Sequence, residues 1–519
     1  MSPPDAWTTA FVFSGLRHAA RLLRIAYVLA RHDALFPFYE PPAPTAARAT
    51  ARLLAKIFRG RDLPERRGAR LAEALTAMGP SFIKLGQTLS TRSDLFGADV
   101  ADDLALLQDR LAPFPAEKAF QTIEEELGKP VDELFEEVER APVAAASIAQ
   151  VHLARTRDGR EVAVKVLRPG IESAFERDIA LFRWLAQWAW RLSPKGRRLK
   201  PVEVVEAFAE TVRAEMDLRL EAAAASELSE NFADDPMFAA PAIDWARTGR
   251  RTLTLERVSG ARVDNVEALD ALGHDRHEIM RIAASAFFRQ VFEHGFFHAD
   301  MHPGNVFVRP DGGLTVIDFG IMGRLDRATR DYLADMLLGM LRRDFELVAD
   351  VHFRAGYVPA NQSRAAFAQA CRSIAEPILG KPLHEISLGR LLQQLFQITE
   401  TFQMETQPQL LLLQKTLLMA EGMGRRLDPT VNMWTLAQPL IEDWMRAHRG
   451  PESRVADALA DIGEAAWRLP RTIARLERIL EDQDEETRRQ PPEPASRNRL
   501  LLALLAVAAA AGWLAFLLD

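Results

Sequence analysis

The middle of the chain carries the side chains that phosphoryl transfer needs. Residues 298–305 read HADMHPGN, so four residues lie between Asp300 and Asn305, and Asp318 follows in the run IDFG. Phosphoryl transfer needs a carboxylate near the attacking nucleophile and oxygen ligands that hold magnesium. We therefore predict that Asp300 is the catalytic carboxylate. Asn305 and Asp318 are predicted to bind Mg²⁺, which prefers hard oxygen ligands and keeps its other positions for phosphate and water.

The two histidines of this segment, His298 and His302, favour a structural interpretation over a metal site. Two histidines without a third ligand make a poor zinc site. We expect an imidazole that is hydrogen-bonded inside the loop and orients its backbone.

A cation for the nucleotide phosphates is predicted at Lys165, which ends the β-rich run VAVK. In protein kinases such a strand lysine reaches the phosphates and is held by a glutamate of a neighbouring helix. The alternative is a solvated lysine that merely closes a strand. The helical run EMDLRLE supplies Glu215, Asp217 and Glu221. We predict that Glu221 pairs with Lys165; the other two acids form either a solvated face or a second functional pair.

The elements that must position these groups follow in the order of a two-lobed kinase fold, so the predicted fold class is α+β. The small lobe is predicted at residues 140–258 and the large helical lobe at 259–480, after a helical region at 47–139. Helices are also predicted from 171 to about 232. Strands are predicted at residues 148–153, 161–166, 251–258, 306–309 and 314–317.

If the strand at 251–258 leads into the hinge between the lobes, the backbone groups of Glu256 and Val258 face the adenine edge of a nucleotide. We therefore predict both as nucleotide-binding residues.

The composition excludes several other classes. The 519 residues are 48% hydrophobic and 26% charged, with 65 basic and 72 acidic side chains, which is typical of a folded protein. The net charge of −7 argues against a dedicated nucleic-acid-binding protein. The single cysteine, Cys371, excludes an intrachain disulfide and any cysteine-based zinc or iron–sulfur site.

The last segment, residues 500–518, is predicted to be a transmembrane helix. Its 19 residues carry no charge. At 1.5 Å per residue they span about 28 Å, close to the roughly 30 Å of a bilayer core. The alternative is a buried core helix, which would normally carry a polar stripe. Arg497 and Arg499 precede the segment, which predicts a bacterial inner (plasma) membrane protein with its body on the cytoplasmic side. Residues 481–499 are predicted to be a linker.

The first region, residues 1–46, is predicted to hold a basic amphipathic helix. One face carries Arg17, Arg21, Arg24 and Arg31. Such a helix can lie on anionic membrane lipids. An ordinary packed helix with a solvated basic face is the alternative.

These motifs resemble the UbiB family of atypical kinase-like proteins that are linked to ubiquinone biosynthesis. Further markers of the resemblance are KLGQ at residues 84–87, AAAS at residues 144–147, and the pair Glu215 and Asp217. The resemblance implies a kinase-like fold whose N-terminal helical extension packs over the active site. It also implies ATP and Mg²⁺ as cofactors, and ATPase activity tied to lipids, quinone precursors or ubiquinone-biosynthesis proteins, with little protein-kinase activity. Many bacterial relatives end in two hydrophobic spans, whereas this chain has room for one.

In this resemblance Ala144, Ala145, Ala146 and Ser147 stand where kinases have a glycine-rich nucleotide loop. Glycine allows backbone conformations with positive φ that alanine resists. The alanines therefore predict a stiffer, differently shaped nucleotide lid. Alternatively, they simply begin a strand or a helix.

The extension is predicted to restrain the site through Lys84 and Gln87. Lys84 is expected to pair with Glu215, Asp217 or Asp318, because an unpaired charge out of water is costly. The alternative is that Gly86 ends one helix and Gln87 begins another.

Two other functional classes remain open from the residues alone. A small-molecule phosphotransferase of the aminoglycoside or choline type also uses an H-x-D-x4-N loop. A nucleotide-binding pseudokinase that acts as a scaffold would keep the same side chains without turnover. We predict instead an atypical kinase or ATPase that supports ubiquinone biosynthesis; no oligomeric state is predicted.

Overall fold

The computed structural model describes residues 6–36, 39, 45–90, 97–105, 107, 111–192, 200–377, 394, 397–404 and 407–428, together with residues 439, 440, 442 and 444. The chain divides into two units, 1–441 and 442–519. All helices and strands given below belong to the first unit.

The regular elements described ahead of the first strand are all helices. These helices are α1 Ala6–Arg31, α2 Thr45–Phe58, α3 Arg67–Met78, α4 Pro80–Ser90, α5 Ala98–Ala105, α6 Ala116–Leu127 and the short α7 Val131–Leu134. The predicted helical region 47–139 departs from this at its end, where Phe135–Val138 forms a strand.

Close packing of α4 depends on Gly86. A Cβ atom at this position would lie 2.4 Å from Leu107 Cδ1 and 2.7 Å from Leu75 Cδ1, so any larger residue would force these leucine side chains to shift. The alternative boundary between two helices at Gly86 is wrong, because residues 84–87 lie inside the continuous helix α4. The KLGQ segment therefore sits on one rigid helix that is packed against the rest of the extension.

The small lobe contains a five-stranded antiparallel sheet in the order β1-β3-β4-β6, with β2 paired to β3. On β4 the side chains of Val162, Val164 and Val166 point into a core beneath α6, as the period of two in a strand requires. Lys165 therefore faces the opposite side of the sheet. The strands are β1 Phe135–Val138, β2 Ala144–Ala145, β3 Ala149–Thr156, β4 Glu161–Leu167 and β6 Thr252–Glu256.

The described part of the connection from β4 to β6 contains three helices: α8 Ile171–Leu192, α9 Pro201–Glu215 and α10 Leu218–Asn231. The start of α10 is fixed by its N-cap, because the Asp217 side chain accepts a hydrogen bond from the Arg219 N–H at 3.2 Å. This cap places the first turn of α10, which carries Glu221, beside the sheet.

The large lobe combines helices with two small sheets, one in the order β5-β10-β9-β7 and one that pairs β11 with β8. The strands are β5 Phe238–Ala239, β7 Ala261–Arg262, β8 Phe296–His298, β9 Val306–Val308, β10 Leu314–Val316 and β11 Met322–Arg324. The helices are α11 Val266–Ala271, α12 Arg276–Phe288, α13 Arg327–Leu341, α14 Phe345–Arg354, α15 Arg364–Ala375 and α16 Pro408–Leu427.

The predicted fold class and localisation need correction at one point. Among the described residues, no helix is long and apolar enough to cross a membrane. The longest, Ala6–Arg31, has 26 residues, but arginines interrupt its apolar sequence. The predicted segment 500–518 and the linker 481–499 lie outside the described residues. The predicted transmembrane helix and the inner-membrane localisation rested on the hydropathy of that segment alone. Both are corrected, because no helix that the structure describes could span a membrane.

The basic face predicted on the first helix is in part a packing surface. The Arg21 guanidinium donates two hydrogen bonds to the buried carboxylate of Asp178, at 3.0 and 2.9 Å. This ion pair joins α1 to α8. Arg24 and Arg31 are exposed.

Candidate active site

A lysine between two carboxylates forms the centre of the site. Lys165 Nζ donates to Glu221 Oε1 at 2.7 Å, to Glu221 Oε2 at 2.9 Å and to Asp318 Oδ1 at 2.9 Å. The side chains of Lys165 and Glu221 are 16% and 8% exposed, whereas that of Asp318 is 49% exposed. The structure thus brings together three residues that are 56 and 153 positions apart in the sequence.

Each member of this cluster is held by a different element. Lys165 stands in the middle of β4, paired with Val151 on one side and Leu253 on the other. Glu221 lies in the first turn of α10. Asp318 follows β10 with a φ of +64°, a left-handed conformation that few residues other than glycine adopt and that aspartate tolerates better than most. Strained backbone at a functional residue persists only when its surroundings hold it in place.

The cluster also sets the charges of its members. Attraction to Lys165 lowers the pKa of Asp318 to about 2, so this carboxylate is ionised at neutral pH. Burial raises the pKa of Glu221, and the charge of Lys165 opposes that rise. Burial would lower the pKa of Lys165, but Asp318 and Glu221 outweigh it and raise the pKa. Lys165 therefore keeps its positive charge.

Asp300 and Asn305 form the second part of the site. Asn305 Nδ2 donates to the main-chain oxygen of Asp300 at 3.0 Å and to Asp300 Oδ2 at 3.4 Å. The other carboxylate oxygen of Asp300, Oδ1, accepts a hydrogen bond from Lys415 Nζ at 3.1 Å. The Ile317 N–H donates to the Asn305 carbonyl at 2.9 Å, which ties this loop to the residue that precedes Asp318.

A buried histidine links the two parts. His298 Nδ1 accepts a hydrogen bond from the Asp300 N–H at 3.2 Å, and Nε2 bonds the Ile317 carbonyl at 3.0 Å. This pattern assigns the proton to Nε2, and burial lowers the pKa of the imidazole, so the ring is neutral. The Gln290 Oε1 atom accepts from the His298 N–H at 2.9 Å. Gln290 lies in the π-helix Arg289–His294, an uncommon conformation that often occurs beside functional sites.

His302, the second histidine of the motif, accepts a hydrogen bond from the Gly304 N–H through Nδ1 at 3.1 Å. Both imidazoles thus bond the backbone of their own loop.

The extension reaches the same region through α4. Lys84 Nζ lies 2.9 Å from Glu215 Oε2, and both side chains are 13% exposed. Of the three carboxylates predicted as partners of Lys84, the structure thus pairs Glu215 with it. Asp217 instead forms an ion pair with Arg219 at 2.6 Å. The charge of Lys84 also contributes to the low pKa of Asp318, so α4 acts on the electrostatics of the site.

Gln87 contacts the backbone of the extension: its Nε2 lies 3.5 Å from the Leu107 carbonyl. This contact helps to hold α4 in the position that Gly86 allows.

The alanine segment forms a tight hairpin. Ala144 and Ala145 pair with Val151 and Gln150, and the Ala146 N–H donates to the Ala149 carbonyl at 2.7 Å. The alternative that the alanines begin a strand thus describes the first two of them. Ser147, in the turn, is fully buried, and its Oγ has no hydrogen-bond partner among the described residues.

Arg168 holds the turn of this hairpin. Its Nε and a terminal nitrogen donate to the Ala146 carbonyl at 3.1 and 2.9 Å, and it also donates to the Ala112 carbonyl at 3.0 Å. Its guanidinium packs over the Phe114 ring at 5.5 Å from the centroid. The lid is therefore tied to the segment that leads out of the extension.

The predicted hinge residues lie at the end of β6. The Glu256 N–H donates to the Ala242 carbonyl at 2.8 Å, so this amide is already used. Its exposed side chain accepts from the Ala242 N–H at 3.3 Å. Val258 lies beyond the strand and is half-buried.

Two oxygen ligands at the site, from Asn305 and Asp318, fit a magnesium ion that is bound together with a nucleotide. With Asn305 Nδ2 bonded to Asp300, the amide Oδ1 is the atom left to meet a cation, and Asp318 adds an ionised carboxylate. Across the described residues, no group of three or more His, Cys, Asp or Glu side chains is arranged to hold a metal. Magnesium commonly takes one or two protein ligands plus phosphate oxygens and water, which matches this donor set.

Comparisons with known proteins decide the family. A model of the ABC1 atypical kinase-like domain matches residues 106–352, and a model of the UbiB helical domain matches residues 371–432. A probable protein kinase UbiB of Marinobacter nauticus is 42% identical over 491 residues, which cover 93% of this chain and 88% of that protein. The chain belongs to the UbiB family.

Further similarities agree with this assignment. A probable protein kinase UbiB of Pseudomonas aeruginosa is 42% identical over 504 residues, which cover 94% of each chain. Among solved structures, the Mycobacterium tuberculosis protein Rv3197, in a complex with erythromycin, matches with a TM-score of 0.51 and 25% identity. That match covers 76% of this chain and 98% of the other. The kinase-like fold predicted from the motifs is therefore confirmed, and the chain is a UbiB-family atypical kinase-like protein.

Three residues of this UbiB-family site were missed in the sequence. Lys415 and Arg168 belong to no recognised motif, and Gln290 lies in a segment whose π-helical geometry has no simple sequence signal. Lys415 lies 115 residues beyond Asp300, on α16. The absence of any Lys or Arg within residues 299–308 is the one signal that a cation for Asp300 must come from elsewhere.

Proposed function

We propose that this protein binds Mg²⁺·ATP and transfers or hydrolyses its γ-phosphoryl group in support of ubiquinone biosynthesis. The proposed targets are lipid quinone precursors or ubiquinone-biosynthesis proteins, with membrane lipids as further partners. The observation that carries the proposal is the position of Lys165 between Glu221 and Asp318, with Asp300 and Asn305 tied to the same loop region.

In this proposal Lys165 binds the α and β phosphates of the nucleotide. Glu221 is buried and bonds Nζ through both oxygens, so it fixes the direction in which the ammonium group points. Asp318 and Asn305 hold the magnesium ion, which supplies charge neutralisation for the phosphates when it is bound. Ser147 Oγ is a buried hydroxyl with no partner among the described residues, and a bound oxygen ligand would satisfy it.

Asp300 acts on the acceptor of the phosphoryl group. An acceptor hydroxyl or a water gives its proton to the Asp300 carboxylate while its oxygen bonds to the γ-phosphorus. The bond from that phosphorus to the bridging oxygen breaks, and ADP leaves with the bonding electron pair. Asn305 and Lys415 hold the two oxygens of this carboxylate.

The extension argues against large protein substrates. The Lys84–Glu215 ion pair joins α4 to α9 and is nearly buried, and α4 packs closely on the rest of the extension at Gly86. An element held in this way does not move aside without breaking a buried pair, which is costly. We infer that the acceptor is small or flexible, such as a lipid head group, a quinone precursor or water.

The test is ATP hydrolysis by the purified protein with and without anionic liposomes and a water-soluble quinone-precursor mimic. Turnover that rises with either addition supports the proposal. Phosphorylation of choline or an aminoglycoside, with no response to liposomes or to the mimic, would indicate a small-molecule phosphotransferase and contradict the proposal. Nucleotide binding without turnover under all conditions would indicate a scaffold and contradict the proposal.

A further inference from the structure

The cation that meets the predicted catalytic carboxylate comes from the helical region at the end of the large lobe. Lys415 Nζ lies 3.1 Å from Asp300 Oδ1, and the two side chains are 37% and 28% exposed. Asn305 Nδ2 approaches the other oxygen, Oδ2, at 3.4 Å. The two oxygens of the carboxylate thus have separate partners.

The helix that carries Lys415, α16, packs into the core of the large lobe. Residues Met423 and Leu427 of α16 are 3% and 2% exposed and belong to the same core cluster as Met301, which follows Asp300 in the sequence. Thr416, beside Lys415, is fully buried. Because α16 is fixed by its apolar face, the backbone of Lys415 is held beside the loop, and its partly exposed side chain reaches Asp300 from there.

We propose that Lys415 is a positioning residue for Asp300, which makes phosphoryl transfer depend on α16. Lys415 holds Oδ1 and so fixes the rotation of the carboxylate toward the acceptor. A misplaced carboxylate loses rate because proton transfer needs hydrogen-bond distance in the transition state. This inference rests on the proposed function and adds to it a residue from outside the kinase motifs.

The pair is suited to this role and poorly suited to a stabilising one. Both partners keep contact with solvent, and ion pairs of this kind contribute little to folding. Removal of Lys415 should therefore leave the protein folded and its nucleotide half intact, since, in the described part of the chain, Lys165, Glu221 and Asp318 form no hydrogen bond or ion pair with it. The predicted effect is confined to turnover.

The chain allows a charge-specific rescue. Cys371 is its one cysteine; it is 8% exposed, and burial raises the pKa of its thiol to about 12, so it reacts slowly with alkylating reagents. A cysteine introduced by Lys415→Cys can therefore be alkylated selectively. Treatment with 2-bromoethylamine gives a side chain of nearly lysine length with a positive charge, and iodoacetamide gives a neutral one.

The experiment measures kcat, KM and ATP affinity for the full-length parent, Lys415→Met, Lys415→Arg and the alkylated Lys415→Cys. We expect Lys415→Met to lower kcat at least tenfold with ATP affinity within twofold, and Lys415→Arg to keep most of kcat. 2-Bromoethylamine should restore Lys415→Cys to at least half of the parent kcat, whereas iodoacetamide should not. Lys118→Cys, at an exposed position on α6, should match the parent before and after alkylation.

A double variant separates positioning from other roles. In an Asp300→Asn background, Lys415→Met should lower turnover no further, because Lys415 acts through that carboxylate. The inference is overturned if Lys415→Met leaves kcat unchanged or raises it. It is also overturned if kcat and ATP affinity fall together, or if iodoacetamide rescues as well as the amine.

Cross-linking keeps this test separate from that of the proposed function. A water-soluble carbodiimide joins an amine and a carboxylate in direct contact by an amide bond, with loss of water. Peptide mass spectrometry should find Lys415 joined to Asp300 in the parent. If the parent lacks turnover, the proposed function fails. In that case the cross-linked peptide alone tests the contact between Lys415 and Asp300, and absence of the peptide overturns the inference.

Discussion

The site contains two lysine–carboxylate ion pairs, Lys165–Glu221 and Lys415–Asp300, and they differ in burial and in hydrogen bonding. The Lys165–Glu221 pair is 16% and 8% exposed and bonds through both carboxylate oxygens. The Lys415–Asp300 pair is 37% and 28% exposed and has one hydrogen bond. The cation of the nucleotide half is thus held by a buried ion pair, and the cation of the transfer half by a partly exposed one.

This difference suits the two tasks. The nucleotide phosphates need an ammonium group that is already oriented before they bind. The buried pair with Glu221 orients the Lys165 ammonium, because neither partner can turn toward water. An acceptor must enter and leave beside Asp300, so partial exposure is an advantage there. The two halves should therefore respond differently to substitution: the first through binding and stability, the second through rate.

Loss of the lysine in the nucleotide half should have the largest effect. Lys165→Met leaves Glu221 buried without its partner, which costs about 3 kcal/mol of unfolding free energy. ATP affinity should fall by roughly 100-fold, since the phosphates lose their cation. Calorimetric titration with Mg²⁺·ATP and urea unfolding measure the two effects. Lys118→Met, exposed on α6, is the control. Unchanged stability would show that Glu221 does not depend on Lys165.

Two helical glycines test how closely α4 packs within the extension. Gly86→Ala places a Cβ 2.4 Å from Leu107 Cδ1, and the overpacking should cost about 1–3 kcal/mol in urea unfolding. Gly422→Ala, on α16, meets no atom within 4 Å. It should stabilise by about 0.5–1 kcal/mol, because alanine loses less backbone entropy in a helix. Equal effects at both positions would contradict the close packing of α4.

A smaller effect is expected when the restraints on the nucleotide are relaxed one at a time. Lys84→Met removes the ion pair with Glu215, and Ala145→Gly frees the backbone of the lid. Each should change the ratio of ATP to ADP affinity by roughly fivefold, or about 1 kcal/mol. The double variant should change it further and could reveal autophosphorylation. If the two single variants and the double variant all match the parent in affinities and phosphate incorporation, the extension and the lid do not restrain the site.

The smallest effect concerns pH and the histidine that joins the two halves. Burial lowers the pKa of His298 in the folded protein from its usual 6.5, although Asp318 and Asp300 oppose this. The unfolded chain then binds the proton more readily. The contribution of His298 to stability is therefore complete above about pH 6.5 and is lost as the pH falls below it.

Urea unfolding at pH 7.5 and 5.5 measures this dependence. His298→Asn should reduce the loss of stability on acidification by about 1 kcal/mol. Lys118→Met, at an exposed position that carries no histidine, should leave the loss unchanged. A pH dependence that His298→Asn does not alter would mean that the other buried histidines account for it.

The motifs in the sequence pointed to most of the side chains that the structure brings together at the site, because these residues occur in runs with fixed spacing. Lys165 in VAVK, Asp300 and Asn305 in one loop, and Asp318 in IDFG are each recognisable locally. The main strands were also predicted within a few residues, since alternation of apolar side chains marks them. The short strands Phe296–His298 and Met322–Arg324 were missed, because three residues carry too little alternation to predict a strand.

The transfer half could be predicted only in part. Lys415 contacts Asp300 through the packing of α16 on the large lobe, and nothing in the sequence near residue 415 indicates which loop it faces. The same holds for Arg168, whose partner carbonyls belong to Ala112 and Ala146. Contacts of this kind depend on tertiary packing, whereas motif spacing reports only on neighbours in the chain.

The division of labour between the two halves is tested most directly by two asparagine variants measured side by side for Mg²⁺-dependent ATP binding and for turnover. Asp318→Asn replaces an ionised magnesium ligand with a neutral one and should remove most Mg²⁺-dependent binding. Asp300→Asn should bind Mg²⁺·ATP as the parent does and lose turnover by at least about 100-fold, the contribution typical of a general base. Unchanged binding in a folded Asp318→Asn variant, or joint loss of binding and turnover in a folded Asp300→Asn variant, would contradict the account.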